Sequence, residues 1–361
     1  MTALNLDDII LRIASLQEET GLFPSFRSNP LIFYRRADTN VFFTAITVFT
    51  LQSLRHEVSP VSRQRIDQIT ERARAAYSLF RNKDGLDTYN FWPTRPSRHF
   101  PNGYIFRHFE HFRIPDDIDD TAMVYLTTNP SADVLLWLKT KLAQHANGSQ
   151  RQRIRNTFPA YRHLTAYSTW FGKHMGVDFD ACALSNILYC IFTYNLPHNQ
   201  HDTDSLFYLR SIVESGQYRR EPFRCAPHYA RPSLIVYHLA RLMSRFQIEA
   251  LEPIKAILLA DARDLIATIS NRVEQILLAT ALGWLGAPMP AIDIDNIEQD
   301  FSTFHFFIAG LLTAYEHPVL RQFADKPLVH MRWQCEAHCW ALVAEYGQLL
   351  KSEECRVKSE E

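Results

Sequence analysis

Glycine is scarce in this 361-residue chain, at 11 residues, and there is neither a Gly-rich phosphate loop nor a Gly-x-Ser-x-Gly elbow. The scarcity argues against tight turns and hairpins, and the missing motifs argue against the nucleotide-binding and hydrolase sites built on them. Charge of one sign is missing too. With 38 basic and 39 acidic residues the formal net charge is -1, so no global field draws the chain to nucleic acid or to an anionic membrane. No run approaches the roughly 18 apolar residues that span a bilayer. Met1 to Glu19 mixes Asp7, Asp8, Arg12 and Glu18 with apolar residues and forms no secretory h-region. These absences predict a cytoplasmic protein with no transmembrane segment and no nucleic-acid partner. Six cysteines in so long a chain do not make a disulfide framework and are expected to be reduced thiols. No repeat of fixed period and no Ser/Gly linker divides the chain, which predicts one domain over residues 4–350 and a disordered tail over 351–361.

What the chain does hold is aromatic and helical. Its 24 phenylalanines and 15 tyrosines suit helices around an aromatic interior. Leu6, Ile9, Ile10 and Ile13 make one helical stripe. Val41 to Phe49 is apolar nearly all round, as a buried helix must be, and Asp38-Thr39-Asn40 can cap it. Val61 to Phe80 is wet on one face and dry on the other, so the two read as an inner and an outer helix. The alternation continues through Ala132–Gln144, Arg151–Trp170, Asp180–Tyr194, Asp204–Ser215, His228–Phe246, Glu252–Ile269, Asn271–Leu285, Phe301–Tyr315 and Met331–Leu350. About twelve helices would supply about six αα-hairpins, and the expectation is an all-α fold closed as a single α/α-toroid. Gly21 to Arg36 reads as irregular. Asn82 to Arg113 reads as one long aromatic loop, a length that in a compact domain usually carries function.

That loop ends in Pro115-Asp116-Asp117-Ile118-Asp119-Asp120-Thr121-Ala122, with four carboxylates in five positions opening onto an apolar run. Capping a helix N-terminus uses one or two acids, and four exceed that need. Clustered acids in a dry cavity hold a proton near neutral pH, because burial and like charge both penalise ionisation, and such an acid can protonate an alkene. Asp116, Asp117 and Asp120 also spell Asp-Asp-x-x-Asp, a Mg²⁺-diphosphate pattern, but the second acidic motif that chemistry needs on a facing helix is not in the sequence. Cys335, His338 and Cys339 could begin a zinc site but lack a fourth ligand at recognisable spacing, and core packing is the competing reading. Gln217 to Arg224, with Arg219 and Arg220, is a basic stretch able to seat a diphosphate or simply a solvated loop.

The run Asp117-Ile118-Asp119-Asp120-Thr121-Ala122, with Pro115 before it, resembles the acid motif of class II terpene cyclases, the group that includes squalene-hopene cyclase. The likeness covers little more than this segment, and the Gln-x-x-x-Gly-x-Trp repeats of the triterpene cyclases do not occur. The resemblance implies that Asp119 protonates a linear isoprenoid, such as farnesyl diphosphate, with Asp117 and Asp120 assisting. It implies an α/α-toroid, no cofactor for the protonation itself, and Mg²⁺ only where the substrate is a diphosphate. Phe91, Trp92, Tyr125, Trp170, Tyr189 and Tyr229 are the candidate cavity lining, each with plain core packing as its alternative. A single domain must close its cavity with the 82–113 loop or with a partner subunit in a homo-oligomer. The reading from a different class is a non-catalytic toroid that binds a ligand or a protein and keeps the acids for loop structure.

Overall fold

The structure is a computed structural model that describes residues 5–100, 108–109, 113–149, 153–172, 175–310 and 318–360. The helices of ten residues or more are α1 (Leu6–Leu16), α2 (Val41–Leu54), α3 (Pro60–Tyr77), α4 (Ile118–Thr127), α5 (Ala132–His145), α6 (Ala181–Thr193), α7 (Gln200–Glu214), α8 (Pro232–Arg245), α9 (Lys255–Thr268), α10 (Arg272–Trp284) and α11 (Glu336–Glu360). Helix α2 packs on α4, α4 on α6, α6 on α8, α8 on α10, α10 on α11, and α11 back on α2, so these helices close a ring. The ring helices α2 and α6 have no polar face, because both are enclosed by neighbours. Outside them α3 buries Ile66, Ile69, Ala73, Ala76 and Tyr77 and leaves its charges in water.

The expected all-α toroid is corrected, because the fold is mixed. Strands β1 (Ser25–Asn29), β2 (Tyr34–Asp38), β3 (Phe307–Gly310) and β4 (His330–Gln334) form an antiparallel sheet in the order β2-β1-β4-β3. The stretch read as irregular, 21–36, thus holds β1 and the start of β2, joined by a turn at Pro30–Ile32 that Asn29 caps. Runs of four or five residues are too short for periodicity to tell strand from helix. For that reason the helix expected over 301–315 is β3 in its middle, with 311–315 outside the described residues, and the one expected from Met331 begins as β4.

The helix expected over 151–170 is also absent among the described residues. Its backbone is taken up by side chains of α7 and its neighbours: Thr165 N donates to Asp204 Oδ2 at 2.5 Å, Tyr167 N to Ser205 Oγ at 3.2 Å, and Asn147 Nδ2 to the Leu164 carbonyl at 2.6 Å. Pro159 and the β-branched Thr165 and Thr169 disfavour helix there as well. Helix α11 continues through 351–360, where a disordered tail was expected.

The sheet lies against the first turns of the ring helices. Phe307 of β3 packs on Phe42 of α2 with ring centroids 5.3 Å apart, and on Trp333 of β4 at 5.5 Å. Asp38 fixes the sheet to the aromatic wall by accepting from Trp92 Nε1 at 3.0 Å and Trp333 Nε1 at 2.9 Å. No helix among the described residues is long and apolar enough to cross a membrane.

Candidate active site

The four acids enter on a short loop clamped from both sides. Asp117 N donates to the Tyr89 carbonyl at 3.3 Å, Ile118 N to Thr169 at 2.9 Å, and Phe171 N to Asp116 at 2.9 Å. Gly172 permits this closeness, since a Cβ there would lie 2.4 Å from Pro115 Cβ. The extended 165–172 segment, missed as a helix from sequence, is therefore one wall of the clamp.

Each acid then has its own environment. Asp116 accepts from Asn82 Nδ2 and Thr88 Oγ1, both at 2.5 Å, and from Asn90 Nδ2 at 3.2 Å, so it staples the 82–90 loop. Asp117 is the N-cap of α4, its Oδ1 accepting from Asp119 N at 3.0 Å and Asp120 N at 2.7 Å. Asp119 accepts from Asn186 Nδ2 at 2.5 Å on Oδ1 and from the Tyr229 hydroxyl on Oδ2. Asn186 is in turn held by Arg241, whose Nη1 is buried without a hydrogen-bond partner. Both carboxyl oxygens of Asp120 are buried with no donor pointed at them.

These surroundings decide where a proton rests. Burial raises all three cavity acids. For Asp120 the charge of Asp117 adds to burial and carries it well above the carboxylate range. For Asp117 burial and the charges of Asp119 and Asp116 raise, while the hydrogen bond from Asp120 pulls back. For Asp119 burial outweighs the hydrogen bonds of Tyr229 and Asn186 and the charge of Arg241. A carboxylate at Asp120 would be an orphan, whereas a carboxylic acid there can donate to Asp117. Asp119 is the complement: two donors already aim at its oxygens, so its conjugate base is supported once a proton leaves.

Asp117, Asp119 and Asp120 line a chamber of ≈ 80 Å³ whose other walls include Phe42, Phe91, Trp170, Phe307 and Trp333. The chamber adjoins a larger cavity of ≈ 740 Å³ that shares Trp170, His228, Tyr229, Phe307 and Ile308 with it. The outer cavity is basic: Arg155, Arg162, Arg220, Arg224, Arg231 and Arg332 line it, against Asp178, Glu221 and Asp325. Arg231 has two buried nitrogens, Nε and Nη2, without partners. At the junction, burial disfavours the charge on His228, but its hydrogen bond to Asp178 and the charges of Asp178, Asp180 and Asp117 hold it up at about 9.

Of the residues named from sequence, Asp117, Asp119, Asp120 and Phe91 line the inner chamber, Arg220 the outer cavity, and Trp170 and Tyr229 both. Trp92 stands behind the wall, bonded to Asp38. Tyr125 donates to the Asp87 carbonyl at 2.8 Å, and Tyr189 packs on Phe49 and Phe246. Arg219 pairs with Asp261 and does not line the outer cavity. Cys335, His338 and Cys339 are buried, and burial pushes the Cys335 thiol up to about 12 and the His338 ring down to about 3. Among the described residues no group of three His, Cys, Asp or Glu side chains could hold a metal ion. Sequence reasoning missed Asn186, Arg241 and His228. A polar Asn186 inside the apolar α6, and a charged Arg241 between Ala240 and Leu242 of α8, were visible departures from helical patterning. No protein-family model matches the chain, and no curated protein is significantly similar to it in sequence.

Proposed function

We propose that the protein is a class II terpene cyclase acting on a linear prenyl diphosphate such as farnesyl diphosphate. The observation that carries this reading is the continuity between a buried, proton-holding acid cluster in an aromatic chamber and an arginine-lined vestibule. The inner chamber alone is below the roughly 300–1,000 Å³ of ordinary ligand sites, so a prenyl chain would extend through both cavities. Its terminal alkene would face Asp119, and its diphosphate would meet the arginines, with any Mg²⁺ arriving as the counter-ion of that diphosphate.

Asp119 gives its proton to the CH carbon of the terminal alkene, and the π electrons form the new C–H bond, leaving the cation on the dimethyl-substituted carbon. The tertiary cation is then attacked by the next double bond, closing a ring. The faces of Phe42, Phe91, Trp170, Phe307 and Trp333 stabilise the moving charge. Loss of a proton from the last cation ends the reaction, so substrate and product are isomers and the diphosphate is retained. Asp120 and Asp117 hold the shared proton beside Asp119 and oppose its ionisation before substrate enters. The non-catalytic reading draws on Asp117, whose cap bonds to Asp119 N and Asp120 N are structural.

Purified protein incubated with geranyl, farnesyl and geranylgeranyl diphosphates, then treated with phosphatase and analysed by gas chromatography and mass spectrometry, distinguishes the two. Cyclic alcohols are expected. Recovery of linear alcohols alone from every substrate contradicts the cyclase reading.

A further inference from the structure

Large apolar side chains are exposed in two segments that lie together. Leu31, Ile32 and Phe33 form the tip of the β1–β2 hairpin, with Phe33 97% exposed, and Leu320, Phe323 and Leu328 are exposed on the segment before β4. The turn at Pro30–Ile32 packs on the turn at Pro327–Val329, and Asn29 Nδ2 donates to the Leu328 carbonyl at 2.8 Å. Phe33 also takes a left-handed backbone, φ 53, which is unusual for a bulky residue and holds the ring out at the tip.

Charge flanks this apolar tip. Arg35 and Arg36 of β2 are exposed, their guanidinium groups lying over Phe26 at 4.2 Å and Tyr34 at 5.5 Å, and Lys326 is exposed beside Asp325. The segment that carries Phe323 and Leu328 also supplies Gln322, Ala324, Asp325, Pro327 and His330 to the wall of the arginine-lined cavity. The tip therefore adjoins the segment that forms part of the wall of that cavity.

We propose that this tip docks on an anionic lipid surface. Apolar side chains enter the headgroup boundary while Arg35, Arg36 and Lys326 meet lipid phosphates, a local attraction that the near-zero net charge conceals. Docked in this way, the segment that walls the cavity lies against the bilayer, where a prenyl chain partitions. The docking surface itself rests on exposure and charge, so it can fail or stand independently of the cyclase reading.

The test is co-sedimentation with vesicles of phosphatidylcholine alone or with added phosphatidylglycerol, beside light scattering of the free protein. The wild type is expected to bind the anionic vesicles and to be released by salt. Phe33→Asp and Leu328→Asp should each weaken binding about tenfold or more, and Arg35→Glu with Arg36→Glu should remove the preference for anionic lipid. All these positions are exposed, and unchanged circular dichroism and melting confirm that each variant is folded. Failure of the wild type to bind overturns the proposal, as does equal binding by both Asp variants. A wild-type dimer that Phe33→Asp converts to monomer also overturns it, by showing that the tip covers a second copy of the chain.

Discussion

Replacing Asp119 by Asn removes the ionisable proton while keeping the shape of the side chain. Asp119 is buried, with Asn186 Nδ2 at 2.5 Å on Oδ1 and the Tyr229 hydroxyl on Oδ2. An asparagine can keep its carbonyl oxygen toward Asn186 and turn its amide toward Tyr229, whose hydroxyl can accept as well as donate. The fold should therefore lose no more than about 1–1.5 kcal/mol, the value of one ordinary hydrogen bond. Turnover should fall by roughly 10²–10⁴, the usual contribution of a positioned general acid, equivalent to about 3–5.5 kcal/mol on the barrier. Asp116→Asn is the matched control. Its carboxylate accepts from Asn82, Thr88 and Asn90 outside the chamber, so the loss should appear in stability, at about 1–3 kcal/mol, with the rate per folded molecule retained. The assay is initial cyclisation rate alongside thermal unfolding for both variants. A folded Asp119→Asn protein with undiminished turnover refutes the acid assignment.

Further consequences follow from other parts of the site. Arg332 lines the vestibule half-buried, so Arg332→Gln should raise KM for a diphosphate substrate about tenfold and leave kcat within about twofold, measured by steady-state kinetics. Burial raises Glu345 to about 7, against the opposing Tyr237 hydrogen bond and the charge of Arg241. Because its folded pKa lies above its unfolded one, its contribution is full below about 4.5 and is lost as pH rises through about 7. Glu345→Gln should flatten the fall in unfolding free energy across that window by up to about 1.4 kcal/mol per pH unit, read from urea titrations. Gly172→Ala would force a methyl group into Pro115 and should destabilise by about 1–3 kcal/mol while displacing the acid loop, detected as a lower Tm together with a lower rate.

The helices could be read from sequence where a long apolar or amphipathic pattern exists. Val41 to Leu54 and Ala181 to Thr193 have such patterns, and both carry a side-chain cap, Asn40 or Asp180. The strands could not, because Phe307–Gly310 and His330–Gln334 offer too few residues for a period, and what holds them is tertiary pairing, β4 with β1 from the far end of the chain and β3 with β4. The acid cluster was legible because four aspartates in so short a run exceed any capping need. Their division of labour was not. It depends on Asn186, Tyr229 and Arg241 arriving from α6, the loop before α8 and α8 itself, and no local pattern encodes which oxygen each one reaches. Arg219 and Arg220 show the same limit: adjacent in sequence, one pairs with Asp261 and the other lines the vestibule.

The central claim, that a carboxylic acid of this chain starts ring closure by protonation, is tested most directly in deuterated water. Incubation with farnesyl diphosphate in D₂O should give a cyclic product that retains its diphosphate and carries one deuterium on the ring methylene carbon derived from the protonated alkene carbon. Release of inorganic pyrophosphate with no deuterium in the product contradicts the claim, because it means that ionisation of the diphosphate starts the reaction.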